Sequence, residues 1–261
     1  MPVLFIGHGS PMNAVLDNPF TRSLAAWGRH LPRPTAILVV SAHWLTGGTF
    51  VSCTERPRTI HDFYGFPEEL YAITYPSPGA PEEADFVTRA VGRARVGCDL
   101  DWGLDHGAWS VLRHLYPAAD MPVFQLSLDY SFNDWHPKPL QYHYDLAAEL
   151  SELRRRGVLV VGSGNIVHNL SCIDFGSMDA KAYPWAVEFD QAVKECLVAG
   201  NHRDLIDFRR LGKSAALAVP TLDHYLPMIY VLALQEKGEP VAFAHEGIQN
   251  ASISMRCFQV G

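Results

Sequence analysis

The chain has 261 residues, of which 48% are hydrophobic and 19% charged, and its formal net charge is -7. That length buries a sizeable core and suits one large α/β domain, while the acidic balance argues against nucleic acid or an anionic membrane as the main partner. No apolar run reaches the ~18 residues of a membrane-spanning helix, and no basic leader precedes the first strand, so a cytoplasmic location is expected. Five cysteines (Cys53, Cys98, Cys172, Cys196, Cys257) are odd in number and lack CxxC spacing. They are expected as reduced, buried thiols rather than a disulfide framework or thiolate metal site.

In chain order, apolar residues 3–6 predict a short buried strand, after which Gly7 and Gly9 turn the backbone around His8. A histidine on such a strand-end loop is held by a rigid element yet reachable from a cleft. Asn18 and Pro19 read as the N-cap and first turn of a helix to about Arg29, stopped by Leu31-Pro-Arg-Pro34. Residues 36–40 repeat the opening device, a strand followed by Ser41, Ala42 and His43, and residues 49–53 form a weaker strand. His61, Asp62, Phe63, Tyr64 and Phe66 lie on a stretch expected to be an ordered loop over a cleft. Residues 81–95 read as a helix with acids in its first turn. Next comes His106, between Asp105 and Gly107, ahead of a helical pattern through Trp109 to Tyr116.

Residues 122–128 predict a strand, and 139–156 a helix whose basic end suits the C-terminal dipole. A third strand, 158–161, leads through Gly162-Ser-Gly-Asn165 to His168 and Asn169. A helix covers Pro184–Ala199, Asp223 and His224 open an apolar helix ending near Gln235, and 240–244 and 251–259 close the chain as strands. Strands alternating with helices predict a single α/β domain with a central mixed, largely parallel sheet flanked by helices. The active site is expected at the strand ends, where His8, His43 and His168 fall.

His30, His114, His136, His143 and His202 sit in stretches with nothing converging, and His245 stands beside Glu246. His8 and His43 are the strongest metal-ligand candidates, followed by His168 and His224. Asn165 and Asn169 are placed to orient His168, and Asp223 to fix the His224 tautomer. His106 suits acid–base work or helix capping. His61 with Asp62 suits a site role or a loop-fixing hydrogen bond. Neutral imidazoles suit iron, zinc and similar ions, and with few carboxylates nearby they leave a bound cation strongly Lewis acidic. HExxH, GxSxG and P-loop motifs are absent.

Gly7-His8-Gly-Ser-Pro-Met-Asn13, Ser41-Ala-His43-Trp44, Ile60-His-Asp-Phe-Tyr-Gly-Phe-Pro67, Leu104-Asp-His106-Gly-Ala-Trp109, Ser163-Gly-Asn-Ile-Val-His168-Asn-Leu170, His224-Tyr-Leu-Pro227 and Glu246-Gly-Ile occur in this order along nearly the whole chain. Together they resemble the DOPA-dioxygenase branch of the class III extradiol ring-cleaving dioxygenases. The resemblance implies a mixed α/β fold and one mononuclear Fe(2+) or Zn(2+) site. It also implies a small aromatic diol and O2 as partners, with the ring opened to a semialdehyde. Carried over by motif, His8 and His43 are metal ligands. His224 is the third, with His168 as a fourth ligand or an acid–base, and Glu246 replaces His224 if a two-histidine, one-carboxylate set holds. His168 and His106 are the proton-handling candidates, and His61, Trp44 and Tyr225 the substrate-binding ones, with Phe63, Tyr64 and Trp109 as further apolar walls. Two other readings use the same imidazoles: a zinc hydrolase and a non-catalytic metal- or aromatic-binding protein. The sequence specifies neither the particular catechol nor an oligomeric state.

Overall fold

The computed structural model describes residues 1–130 and 138–261, which leaves His136 outside the described residues. The strands are β1 (Val3–Gly7), β2 (Ala36–Thr46), β3 (Thr49–Ser52), β4 (Val96–Asp99), β5 (Val123–Asp129), β6 (Val158–Gly164), β7 (Val241–His245), β8 (Ile248–Gln249), β9 (Ile253–Ser254) and β10 (Cys257–Val260). The helices are α1 (Pro19–Gly28), α2 (Glu68–Tyr71), α3 (Pro81–Ala90), α4 (His106–Leu115), α5 (Leu140–Ala148), α6 (Glu152–Arg155), α7 (Pro184–Ala199), α8 (His202–Ile206), α9 (Ala215–Ala218) and α10 (Leu226–Ala233).

Eight strands form one mixed sheet in the order β4-β3-β5-β2-β6-β1-β10-β7. Its centre, β5-β2-β6-β1, is parallel throughout, and antiparallel pairings flank it at β3/β5 and β1/β10. The central strands are apolar on both sides, as a doubly covered sheet requires. Leu4, Ile6, Ile37, Val39, Leu159 and Val161 face a core shared with α1 and α4. Phe5, Leu38, Val40 and Val160 face the opposite core, built with α5, α7 and α10. The single α/β domain with a largely parallel central sheet is therefore present.

The boundaries differ from expectation where a local pattern gives way to tertiary context. β2 does not stop before His43 but runs on to Thr46. Helix 139–156 is two helices, α5 and α6, and α3 ends at Ala90. The stretch 251–259 divides into β9 and β10. Strand β4 is new: Val-Gly-Cys-Asp is too short and too weakly apolar to read as a strand, and it is held by parallel pairing with β3. That pairing also corrects the thiol expectation. Val51 lies opposite Cys98, so Cys53 comes alongside it, and Cys53 and Cys98 are joined as a disulfide with their Cα atoms 5.7 Å apart. Cys172, Cys196 and Cys257 are free.

Candidate active site

Strand register brings the first two histidines level. Ile6 pairs with Ser163, and Ser163 with Ser41. Period-two alternation then puts His8 and His43 next along the same face, at the carboxyl ends of parallel strands. Val40 pairs with Leu126 but Leu45 with Leu128, so the residues between bulge out of β2 and carry the His43 ring toward His8. His106 opens α4, whose N-cap is Asp105; the Asp105 carboxylate accepts from the Ala108 N–H at 3.1 Å. Close approach of α4 to β2 requires Gly107, because a Cβ there would meet Ser41 Oγ at 2.5 Å. His224 lies just before α10 and is laid on β6 in the same way: a Cβ at Gly164 would stand 2.2 Å from the His224 carbonyl. His168 follows β6 on a loop fixed by its N–H donating to the Ala218 carbonyl at 2.9 Å.

These elements bring five imidazoles together. His8 Nε2 and His43 Nε2 are 3.1 Å apart, and the His224 ring centre is 5.3 Å from that of His8 and 5.0 Å from that of His43. The His106 ring lies 3.9 Å from His43, and His168 stacks on His224 at 3.4 Å. Nitrogens of His8, His43 and His106 lie within 4.8 Å of one another, as do the ligating atoms of His168, Asp223 and His224.

The Nδ1 atoms show which nitrogens are free. Ser163 Oγ–H donates to the Gly107 carbonyl at 2.6 Å, so toward His8 Nδ1, at 3.0 Å, it acts as acceptor. His224 Nδ1 donates to Asp223 at 2.5 Å, the pairing expected for fixing its tautomer. His43 Nδ1 is 3.4 Å from Asp62 Oδ2, which also accepts from His106 Nδ1 at 2.9 Å. With hydrogen on Nδ1, each Nε2 presents a lone pair. Burial, then the neighbouring imidazoles, holds His8 and His43 well below the usual histidine range, so both stay neutral. His168 is lowered for the same two reasons, burial first and His224 next. Two neutral lone pairs 3.1 Å apart repel unless a cation lies between them. Nitrogens each about 2.0–2.1 Å from one ion stand roughly that far apart, so this donor set fits a divalent metal.

The other candidates disperse. His61 Nε2 meets the Ile73 carbonyl at 3.1 Å and lies among Phe63, Tyr71 and Trp109, an aromatic wall that continues to His106 through Phe63 at 5.5 Å. Trp44 does not line the site: its ring stacks on Trp102 at 5.0 Å, and it is buried. Tyr225 is likewise corrected, since it is wholly buried against Phe208 and its hydroxyl donates to the Leu205 carbonyl. Tyr64 points to solvent. Glu246 is held instead by Lys194 at 2.8 Å and Arg256 at 2.5 Å. Asn165 and Asn169 donate to the Ser254 and Leu217 carbonyls rather than orienting His168. His114, His143, His202 and His245 are hydrogen-bonded elsewhere.

Sequence reasoning missed Ser163 and the bond from His106 to Asp62. It also missed the buried set Asp105–Ser41–Gln125, in which Asp105 accepts at 2.7 Å from each partner. Burial and then the Asp62 charge push the Asp105 carboxyl up to about 6, against those two hydrogen bonds. Alternation along the strands placed Ser41 and Ser163 beneath the histidines and was the available signal.

Neutral imidazoles gathered at the carboxyl ends of parallel strands define an α/β enzyme with a centre able to hold a metal ion. The chain belongs to the family described as the catalytic LigB subunit of aromatic ring-opening dioxygenase, which matches residues 2–255. It is 44% identical over its whole length, and 95% of the relative's, to 4,5-DOPA dioxygenase extradiol of Escherichia coli K12. A protein of the same name from Beta vulgaris is 36% identical, over 86% of this chain and 83% of its own. A crystal structure of an uncharacterized Escherichia coli K12 protein superposes with a TM-score of 0.85 at 40% identity, covering all of both chains. The enzyme is thus an extradiol ring-cleaving dioxygenase, an oxidoreductase that incorporates two oxygen atoms into its substrate. The hydrolytic and non-catalytic readings give way to it.

Proposed function

We propose that this enzyme opens the ring of DOPA or a closely related catechol, using one mononuclear metal site held by His8, His43 and His224. The convergence of His8 Nε2 and His43 Nε2 at 3.1 Å, each ring tied back through Nδ1, carries this reading. Fe(2+) is the working ion of the proposal, and Zn(2+) suits the same donors. When bound, the ion would supply Lewis acidity toward the catechol oxygens and, as Fe(2+), a route for electrons to O2.

The chain's own residues supply the rest. His106, its Nδ1–H given to Asp62, keeps Nε2 free to take a catechol proton. His168, stacked on His224, is the second proton carrier and returns a proton as the ring opens. Phe63 and His61 offer flat ring surface to the aromatic ring. Both atoms of O2 enter the product as the carbon–carbon bond beside the diol breaks, giving a semialdehyde. The reading places the enzyme in the cytoplasm, without nucleic-acid or membrane partners; among the described residues no helix is long and apolar enough to cross a membrane.

The test is O2 uptake by anaerobically Fe(2+)-loaded protein. One O2 consumed per DOPA, with a yellow product, is expected. No uptake with DOPA, caffeate or protocatechuate overturns the reading.

A further inference from the structure

We propose that Asp62 is a positioning residue that locks the metal-holding and proton-handling halves of the site to each other. The inference rests on the roles assigned above to His43 and His106. Asp62 Oδ1 accepts from the His106 backbone N–H at 2.8 Å, and Oδ2 accepts from His106 Nδ1 at 2.9 Å. One carboxylate therefore grips the same residue by backbone and ring, fixing both the position and the tautomer of the imidazole. The same Oδ2 lies 3.4 Å from His43 Nδ1. With the two rings 3.9 Å apart, neither His43 nor His106 can turn without disturbing the shared oxygen.

Among the described residues no other carboxylate takes this place. Asp105, although adjacent in sequence, is occupied by Ser41, Gln125 and the Ala108 N–H. Asp223 serves His224. The loop bearing Asp62 is itself anchored just ahead of the carboxylate. Ile60 N–H donates to the Leu104 carbonyl at 2.7 Å, Leu104 N–H to the Arg58 carbonyl at 2.8 Å, and the Trp109 indole to the Ile60 carbonyl at 2.8 Å. The carboxylate is thus held by backbone pairing with the segment that carries His106.

The experiment compares Asp62→Asn, His106→Gln and the double variant, with Zn(2+) affinity measured by chelator competition and turnover of DOPA by Fe(2+)-loaded protein. Asp62→Asn should weaken Zn(2+) binding by about 10-fold. Its kcat should fall by about 100-fold with KM nearly constant, and Asp62→Glu should recover part of that loss. In the double variant kcat should be within about threefold of His106→Gln alone, because the two act as one unit. Thermal unfolding checks that each variant folds, and Asp62→Ser replaces any Asp62→Asn protein that does not. Wild-type metal affinity and kcat in the Asp62 variant, or losses that multiply in the double variant, overturn the inference. A wild-type enzyme without O2 uptake defeats the functional reading instead, and the Zn(2+) arm alone then decides whether Asp62 braces His43.

Discussion

A hydroxyl decides what the first histidine can do. Ser163 has given its hydrogen to Gly107, so it can only receive from His8, and the far side of that ring is left bare. Ser163→Ala is expected to release the ring and weaken metal binding by about 10- to 100-fold, read by chelator competition. His8→Ala and His43→Ala remove proposed ligands and should leave no stoichiometric metal after dialysis, whereas Glu246→Gln should retain it. His106→Ala should keep its metal while kcat falls by about 100-fold or more. Stoichiometric metal in both alanine ligand variants, by elemental analysis, contradicts the ligand set. The histidines were legible in the sequence because each stands beside an apolar pattern, His8, His43 and His168 after a strand and His106 and His224 ahead of a helix. Their partners were not: Asp62 meets a residue 44 positions away, and nothing local marks that bond. Trp44 and Tyr225 misled because an aromatic beside a site histidine suggests a wall, yet a neighbouring side chain in a strand or helix turns elsewhere.

At the scale of elements, α10 presses on β6 through missing side chains. Gly162-Ser-Gly164 carries no phosphate-binding logic; its glycines admit the segment bearing Pro227 and His224, with a Cβ at Gly162 meeting the Pro227 carbonyl at 2.4 Å. Gly164→Ala should therefore cost about 1–3 kcal/mol and also weaken metal binding, a pairing that urea titration with a metal assay detects. The other side of α10 rests on α5 through His143 Nδ1 and the Tyr230 hydroxyl, 3.1 Å apart in the core. Burial lowers His143 to about 4. The unfolded chain thus takes up a proton near pH 6.5 that the folded state refuses, so this contribution is complete above pH 6.5 and is lost as pH falls toward 4. Between pH 7 and 5 the fall in unfolding free energy should be about 2 kcal/mol smaller in His143→Gln than in wild type. Equal slopes in urea unfolding at the two pH values refute it. The long strands and the helix starts were legible from periodicity and caps, Asn18 above all, whose capping box with Thr21 is present. The edge strand β4 and the extension of β2 were not, since both depend on neighbours distant in the chain.

Across the whole molecule, the sheet order interleaves early and late strands. β1 sits between β6 and β10, so its two neighbours come from the middle and the end of the chain. Arg154 reinforces this by donating to the Met1 and Leu234 carbonyls while its guanidinium holds Glu239 at 2.6 and 2.7 Å. A metal joining His8, His43 and His224 would cross-link the same distant parts. At 100 times its Kd it should add about 2.7 kcal/mol, or roughly 5–10 °C in Tm. Calorimetry with and without a chelator tests this, and an unchanged Tm argues against a site that spans these elements. The α/β class was legible from the alternation of strands and helices, but the strand order was not, because pairing between remote strands leaves no periodic trace.

That interleaving also sets a timetable for synthesis. His8 leaves the ribosome first and its proposed companion follows more than two hundred positions behind, so with that ligand set ion capture would belong to the last act of maturation. On the proposed ligand set, a nascent chain stalled before Asp223 would hold an incomplete claw.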